Sequence, residues 1–554
     1  MKIRELLWNY PEILAKIVRL FAPISYIALT LLVLFLSGTF VLSKSDFRSM
    51  LIRKDRTIIR EGVVGHLTNL NPIYIPQGQV DRDLQMLTFR KLVKISPKGE
   101  PLPDLAVKWS VSTDSKKYTF SLDPEARWHD GVSVTSDDVV FTFETARELA
   151  TKLSQETIGQ GFEGVKVKKV SDREFTITIS QSSATFWETI SIYIIPAHIL
   201  REVSLSQFAE NVFSKAPVGN GIYEIVSSGD SGVILKKSAY TQSSAVENYE
   251  YYMYNNVKDL EVAFRNNRLD IVSGVSLRDM DYVNEYRENY DILQFVVNTR
   301  KKAIFLNSRM KAFGNSSMRR AISYLLDKEK LISEADIDGQ AVYSSFSVKS
   351  WAYDRSLKYP KYNPKLGAQE LALAGYKKEA KSGFFQSTDG KILTFTLTYL
   401  DNKSNEVITK QIKKQFGDEG IILNLDPQSF DRLTKETLAT RDYQMLLYEI
   451  ETSIDPDQYD LWHSLRVDYP YLNLSGYTNE RVDIFLEKGR TQIKRTERVN
   501  SYNIVQRLLN EDIPAIMIYE PQFNFVVSDR IKNVDLGGIN FPEERYNTLS
   551  KWEL

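Results

Sequence analysis

A run of 23 residues from Leu20 to Leu42 contains no charged side chain. A helix of this length measures roughly 34 Å, which is enough to cross a hydrocarbon core of roughly 30 Å. The apolar core of a cleaved signal peptide is usually only about 7–15 residues long and precedes a small-residue cleavage site. No such site follows the run, at Phe40–Ser45, so the sequence favours a retained membrane anchor over a cleaved signal.

The segment before the span carries apolar residues at helical spacing, with lysine and arginine between them. This pattern is typical of a short amphipathic helix on a membrane surface, although Pro11 interrupts it. Basic residues flank both ends of the span, so the positive-inside bias leaves the orientation open.

Composition excludes several classes of protein. The 554 residues include 71 acidic and 71 basic side chains, so no net charge indicates a nucleic-acid partner. The chain has no cysteine, which excludes a lipid-carrying cysteine, disulfides, thiolate metal sites and thiol nucleophiles. The length beyond the membrane segment is sufficient for two or three lobes.

Short strands alternate with helices along the body of the chain. Alternation of polar and apolar residues predicts strands over Lys117–Leu122, Glu174–Ser180 and Leu393–Tyr399. Apolar runs predict two more strands over Ile421–Leu425 and Ala515–Tyr519. Helical spacing appears over Ser317–Asp327, Ser404–Phe416 and Glu497–Asn510. The mixture predicts an α/β or α+β fold.

A search for catalytic, cofactor and metal motifs gives negative results. Gly159–Gly164 matches G-x-G-x-x-G, but it does not lie between a clear strand and a helix, so no dinucleotide site is expected. The four histidines are scattered and lack ligand spacing, and the aspartates near Pro456 lack the glycine and glutamate of a calcium loop. No nucleophile–base pair is evident, so we expect neither an enzyme nor a cofactor nor a metal site.

Two local motifs indicate a turn and a helix start. Gly131 supplies a permissive backbone in the turn that follows Trp128, where Asp130 can bond neighbouring amides. Thr135 is placed to cap a helix that begins near Asp137. We expect these residues to be structural.

Sequence motifs follow one another in a fixed order through most of the chain. The motifs are Pro103–Trp109, Val111–Phe120, Arg127–Gly131, Thr135–Phe141, Ile195–His198, Pro217–Tyr223, Phe305–Asn307, Arg319–Asp327, Tyr362–Ala368, Ala374–Tyr376, Asp455–Ser464, Gly476–Asn479 with Asp483, and Pro514. In this order they closely resemble the family 5 extracellular solute-binding proteins, the dipeptide and oligopeptide receptors of ABC importers. The resemblance covers about residues 60–540.

The resemblance implies an α/β fold with two lobes that close like a clamp, an extra inserted domain, and the transmembrane helix in front. The expected segments are a cytoplasmic amphipathic stretch at 1–19, the anchor at 20–42, a linker at 43–56, lobe I at 57–87, 216–300 and 514–554, the inserted α/β domain at 88–215, and lobe II at 301–513. The chain would cross between the lobes near residues 296–305 and return near 512–520.

The same resemblance indicates a ligand-binding segment around Tyr448–Asp457. Peptide-binding relatives have an aspartate four positions before the motif's proline, where it pairs with the peptide's amino terminus, but this chain has Thr452 there. Glu449, Glu451 or Asp455 is the alternative anionic partner, and solvated loop charges are the competing interpretation. The remaining candidate ligand contacts are Gln77, Gly78, Gln79, Trp462 and His463. Core packing explains the last two about as well.

These observations predict a membrane-tethered receptor that captures peptides between its lobes and delivers them to the permease subunits of an ABC importer. The family resemblance places the amino terminus in the cytoplasm and the receptor, a monomer, outside the cytoplasmic membrane. A ligand sensor and a receptor for another solute, such as an oligosaccharide or a chelated metal, are the alternatives. A membrane-bound hydrolase is disfavoured because no nucleophile–base pair is evident.

Overall fold

The computed structural model of the protein describes residues 57–153, 157–241 and 246–554. The predicted span Leu20–Leu42, the segment before it and the linker at 43–56 lie outside these residues. Within the described part, no helix combines the length and the apolarity that a membrane crossing requires.

Twenty strands and fifteen α-helices make up the described chain. The strands are β1 Ile58–Val64, β2 Val93–Ile95, β3 Pro101–Pro103, β4 Ala106–Val111, β5 Lys117–Leu122, β6 Val165–Ser171, β7 Glu174–Ile179, β8 Tyr223–Gly229, β9 Gly232–Lys237, β10 Asn248–Tyr254, β11 Ile271–Ser273, β12 Tyr290–Val296, β13 Arg300–Leu306, β14 Gly339–Ala341, β15 Tyr376–Lys378, β16 Phe385–Ser387, β17 Thr394–Leu400, β18 Ile422–Gln428, β19 Met445–Glu451 and β20 Ala515–Ser528. The helices are α1 Gln79–Thr88, α2 Ser136–Lys152, α3 Phe186–Thr189, α4 Ala197–Leu200, α5 Val257–Arg265, α6 Asp281–Glu285, α7 Ser316–Tyr324, α8 Lys328–Glu334, α9 Pro364–Leu373, α10 Lys403–Glu419, α11 Phe430–Arg432, α12 Leu438–Thr440, α13 Tyr459–Trp462, α14 Glu480–Thr491 and α15 Arg495–Asp512.

Two halves of one twelve-stranded sheet form the two lobes. The order β18-β17-β19-β13-β20 builds one half, and β20-β11-β1-β10-β9-β8 builds the other, so β20 belongs to both. Strand β13 pairs with the first part of β20 and β12 pairs with the second part. The chain therefore passes from one lobe to the other between β12 and β13, directly beside the middle of β20. The expectation of a two-lobed α/β fold is confirmed.

A separate four-stranded antiparallel sheet, β4-β5-β7-β6, lies within the region between α1 and β8. It has its own core, which includes Phe120, Trp128, Phe143 and Phe175. A half-buried strand places alternate side chains against such a core, and β5 follows this rule with Tyr118, Phe120 and Leu122 buried. This part of the chain therefore buries its apolar residues independently of the two halves of the large sheet.

The predicted turn and helix start are both observed. Gly131 has a φ of 89°, in the left-handed region that favours glycine. The Val132 amide donates to the Asp130 carboxylate at 3.1 Å. Thr135 is the N-cap of α2, and its amide donates to the Asp138 carboxylate at 2.8 Å. These residues position the inserted sheet rather than contact the cleft.

A fully buried ionic network fixes α1 against the carboxyl-terminal 3₁₀ helix Pro542–Lys551. The Arg545 guanidinium contacts Asp83 of α1 and Glu61 of β1, and none of the three side chains is exposed. Tyr249 and Tyr546 also donate to Glu61, each at 2.6 Å. Because each buried charge has partners, the network holds α1 in a fixed position at the edge of the cleft.

Candidate functional site

A cavity of about 580 Å³ lies where the two halves of the large sheet meet. This volume is within the usual range for small-ligand sites. Lobe II contributes residues 345–347, 349–351 and 452–456, together with Gln458 and Arg495. The other lobe contributes Phe295, Leu536 and residues 538–540, and the crossing between β12 and β13 contributes Asn298 and Thr299. The turn between β2 and β3 adds Pro97 and Lys98. A molecule in this cavity therefore contacts both lobes and the inserted region at once.

The segment that follows β19 forms one wall of the cavity and includes Thr452 and Asp455, whose roles as ligand contacts remain predictions. The Thr452 amide donates to the Thr299 carbonyl at 2.7 Å, and the Thr452 hydroxyl donates to the same oxygen at 3.1 Å. These bonds fasten the segment to the crossing between β12 and β13. The Asp457 amide donates to the Asp455 carboxylate at 3.0 Å, which closes a tight turn at Pro456.

Each acidic candidate of this segment lies beside a basic side chain. Glu449 lies 3.6 Å from Lys302 on the neighbouring strand. Glu451 pairs with Arg300 at 2.8 Å and also contacts Arg82. Arg498 of α15 binds both carboxylate oxygens of Asp455, one of them at 2.8 Å. The role of these three acids as partners of a peptide's amino terminus remains a prediction. The amino group of a ligand would have to compete with the cations already in place.

Glu451 bridges the two lobes. It lies at the end of β19 in lobe II, whereas Arg82 lies on α1 across the cleft. Arg300, the first residue of β13, also donates to the Gln79 amide oxygen at 3.0 Å, so α1 is tied at two points to the half of the sheet that contains β13 and β19. Burial alone would raise the pKa of Glu451, but Arg82 and Arg300 outweigh burial and lower this pKa below its usual value. The carboxylate is therefore ionised at neutral pH and holds the lobes together.

The other candidates lie away from the cavity lining. Trp462 is buried, and its indole donates to Gln458 at 2.8 Å, which itself lines the cavity. His463 is buried beneath the Tyr459 ring, at 4.1 Å between ring centroids. Gln77 and Gly78 precede α1, where the Gln77 amide donates to Asp81 at 3.2 Å. Their roles as direct ligand contacts remain predictions, since no ligand position tests them.

Sequence reasoning missed several residues of the site. Glu188 of α3 accepts the Asp455 amide at 2.6 Å, so the inserted region touches lobe II beside the cavity. Trp351 lines the cavity, and the Arg495 guanidinium lies 4.6 Å from the centroid of its ring. No sequence pattern around a single aromatic or acidic residue marks it as part of a binding site. Only the three-dimensional fold brings residues so distant in sequence together.

Two side-chain amides in the cavity lining lack partners for one polar atom each. Asn298 Oδ1 and Asn540 Nδ2 are buried and have no hydrogen-bond partner among the described residues. The Thr299 hydroxyl donates to the Asn540 carbonyl at 3.3 Å, which brings the two asparagines into the same part of the wall. Both atoms are buried within the wall rather than exposed at its surface.

The histidines have structural surroundings. His129 contacts the Gly221 carbonyl at 3.2 Å through Nε2 and accepts the Gly219 amide at 3.2 Å through Nδ1. Burial lowers the pKa of His129 to about 4, so the imidazole is neutral. Across the described residues, no group of three or more histidine, aspartate or glutamate side chains is arranged to hold a metal ion.

The chain forms two lobes that are joined where β12, β13 and β20 meet, and a cavity lies between them. This arrangement defines the class of two-lobed solute-binding proteins. The family model described as bacterial extracellular solute-binding proteins, family 5, matches residues 100–468. The chain belongs to this family, as the sequence motifs indicated. It is therefore a binding protein rather than an enzyme, and the solute-binding body is extracytoplasmic.

Individual relatives agree with this assignment. The chain is 25% identical to the oligopeptide-binding protein AppA of Bacillus subtilis over 517 residues, which covers 89% of this chain and 91% of AppA. The crystal structure of AppA with a nonapeptide aligns with a TM-score of 0.73 at 23% identity, over 90% of this chain and 98% of that one. The NikZ structure from Campylobacter jejuni with Ni(L-His) aligns with a TM-score of 0.76 at 22% identity, over 90% and 100% of the two chains.

Proposed function

We propose that this protein captures short peptides in the cleft between its lobes and delivers them to the permease subunits of an ABC importer. The observation that carries the proposal is the cavity of about 580 Å³ between the two halves of the large sheet, which is lined by residues 452–456 from one side and residues 538–540 from the other. An extended peptide in such a cleft is bound through its own backbone amide and carbonyl groups, whatever its side chains. The similarity to an oligopeptide-binding protein supports the same ligand class.

The domain organisation that goes with this function has lobe I at 57–87, 216–300 and 514–554, the inserted domain at 88–215, and lobe II at 301–513. The separate core of the inserted sheet and the crossing beside β20 support this division. Ligand that contacts both lobes favours their closed arrangement, which a permease is then able to distinguish from the open one.

The tether is the second part of the proposal. The uncharged run Leu20–Leu42 spans the cytoplasmic membrane, residues 1–19 lie on its cytoplasmic side, and the receptor, a monomer, is outside. The tether keeps the receptor at high local concentration beside its permease. After cell fractionation and an alkaline carbonate wash, the full chain stays with the membranes, whereas a chain that begins at residue 57 is released. Release of both forms contradicts the tether.

Mass spectrometry of the small molecules released on denaturation tests the ligand class. The full chain, purified from its host in mild detergent, is expected to release peptides of mixed sequence and a narrow range of lengths. The variant Ser453→Trp is expected to retain several-fold less peptide, because a large side chain at this exposed, cavity-lining position occupies space that the peptide needs. Asn255→Trp, at an exposed position outside the cavity lining, is the control. Recovery of a single non-peptide solute, such as a chelated metal, would overturn the peptide assignment.

A further inference from the structure

Three basic side chains line the cavity, and each comes from a different part of the chain. Lys98 lies in the turn between β2 and β3, Lys349 in the loop after β14, and Arg495 at the start of α15. Within the residues that the structure describes, none of the three forms an ion pair with a carboxylate. The three positive charges are therefore available to a molecule in the cleft.

The negatively charged side chain in the cavity lining already has a cationic partner. Asp455 is the one carboxylate among the residues that line the cavity, and Arg498 binds both of its oxygens. The side chains of Asp455 and Arg498 are 11% and 7% exposed, so water screens this pair only slightly. A cationic ligand group would have to displace Arg498, whereas an anionic group meets three cations without a competitor.

Arg495 is also held in place. Its guanidinium lies 4.6 Å from the centroid of the Trp351 ring, and Arg498, about one turn later in α15, lies 5.1 Å from the same centroid. Stacking on an aromatic ring leaves the N–H groups of arginine free to bind a carboxylate. The orientation of this cation is thus set before a ligand arrives, which reduces the entropy lost on binding.

We propose that the cleft selects peptides with net negative charge, whose acidic side chains bind Lys98, Lys349 and Arg495. The inference rests on the proposed function and specifies its ligand class. A terminal carboxylate satisfies only one of the three cations, so acidic side chains are needed to neutralise the other two. All three cations are exposed to water, and each added carboxylate therefore contributes a modest gain in affinity, about threefold.

Calorimetric titration of the purified full chain with peptides of equal length and identical termini tests the selection. The set differs only at two internal positions, which carry glutamate, glutamine or lysine. The glutamate peptide is expected to bind about tenfold more tightly than the glutamine peptide, and the lysine peptide more weakly than both. The glutamate preference is also expected to shrink at high salt, because salt screens exposed charges.

Charge-removing variants assign the preference to the named residues. Lys349→Gln and Arg495→Gln are each expected to reduce the ratio of glutamate-peptide to glutamine-peptide affinity by about threefold, because each removes one partner of an acidic side chain. Lys377→Gln, which removes an exposed lysine on the β15–β16 hairpin, is the control and keeps the ratio. Equal binding of the glutamate and glutamine peptides would overturn the charge selection but leave peptide capture intact. Failure of every peptide to bind would overturn the proposed function, and the selection with it.

Discussion

At the scale of single residues, Glu188 is the most unusual group beside the cleft. It reaches from the inserted region to lobe II, where it accepts the Asp455 amide at 2.6 Å. Burial, and then the negative charge of Asp455, raises the pKa of Glu188 to about 7. Burial also raises the pKa of nearby Asp457 to about 6, although Arg490 opposes this shift. The Glu188 carboxyl, at the contact between the inserted region and lobe II, is therefore partly protonated near neutral pH.

Replacing Glu188 with glutamine is expected to weaken the pH dependence of stability. Because the folded protein raises this pKa from 4.5 to about 7, its stabilising contribution is complete below about pH 4.5 and is lost as the pH rises through 7. Glu188→Gln removes this loss, so the variant should be more stable than the native chain at about pH 8, by on the order of 2 kcal/mol. Urea unfolding across this pH range measures the effect.

The control for this prediction is Glu163→Gln, an exposed glutamate of the same region. Its unfolding free energy should follow that of the native chain at every pH. Asp457 is unchanged in both variants, so part of the pH dependence should persist. If the unfolding free energies of Glu188→Gln and the native chain varied identically with pH, ionisation of Glu188 would not destabilise the folded protein.

The sequence pointed to a segment that lines the cavity, but it could not predict the ion pairs of that segment. Thr452 and Asp455 line the cavity, because the family motif fixes where β19 ends. The neutralisation of Asp455 by Arg498 could not be predicted, since it depends on how α15 packs against the cleft. Glu188 lies 267 residues from its partner, and no local pattern joins the two. Pairing over such distances is a property of the fold rather than of any motif.

At the scale of elements, packing between α14 and α15 depends on Gly489. A Cβ atom at this position would lie 2.6 Å from the Tyr502 ring, which is fully buried. Gly489→Ala should therefore lower the free energy of unfolding by about 1–3 kcal/mol, since an overpacked core must shift its side chains. Thermal or urea unfolding measures the loss.

Gly417 in α10 is the matched control. Nothing lies within 4 Å of a Cβ atom there, so Gly417→Ala meets open space. Alanine also loses less backbone entropy than glycine in a helix, and this variant should gain about 0.5–1 kcal/mol. If both variants shifted stability in the same direction, the contact with Tyr502 would not be the cause.

The elements that the sequence predicts are recognisable because the alternation of their polar and apolar residues is a local pattern. The predicted strand Lys117–Leu122 coincides with β5, and the predicted helix Ser404–Phe416 lies within α10. The predicted strand Ala515–Tyr519 was too short, because β20 continues to Ser528. Polar residues interrupt the apolar pattern after Glu520. Buried Asn524 is tolerated because its amide donates to the Val275 carbonyl at 2.8 Å.

At the scale of the whole molecule, the Glu451 network opposes separation of the lobes. Glu451→Gln removes the charge that holds both Arg82 and Arg300, so the ligand-free protein should open more often. Small-angle X-ray scattering should then show a larger radius of gyration, and peptide affinity should fall by about threefold to tenfold, because fewer molecules are in the closed arrangement. The closed arrangement of the native chain should weaken in the same way in acid, as the pH falls through the pKa of Glu451, which Arg82 and Arg300 lower below the usual value for glutamate.

Glu449→Gln provides the comparison. Its ion pair with Lys302 joins two adjacent strands of lobe II and does not cross the cleft. The radius of gyration should therefore remain that of the native chain. An equal expansion of both variants would mean that charge loss loosens lobe II itself.

The pairing of β13 with β20 gives lobe II a modular character. The stretch from β13 to the first part of β20 is uninterrupted, and these two strands are hydrogen-bonded neighbours, with Phe305 opposite Ala515. A segment with adjacent ends can be exchanged by recombination at two points without rethreading the rest of the fold. The lysines and arginines that line the cavity from lobe II would then be exchanged together. A receptor of this architecture is therefore able to change its ligand preference in a single recombination event.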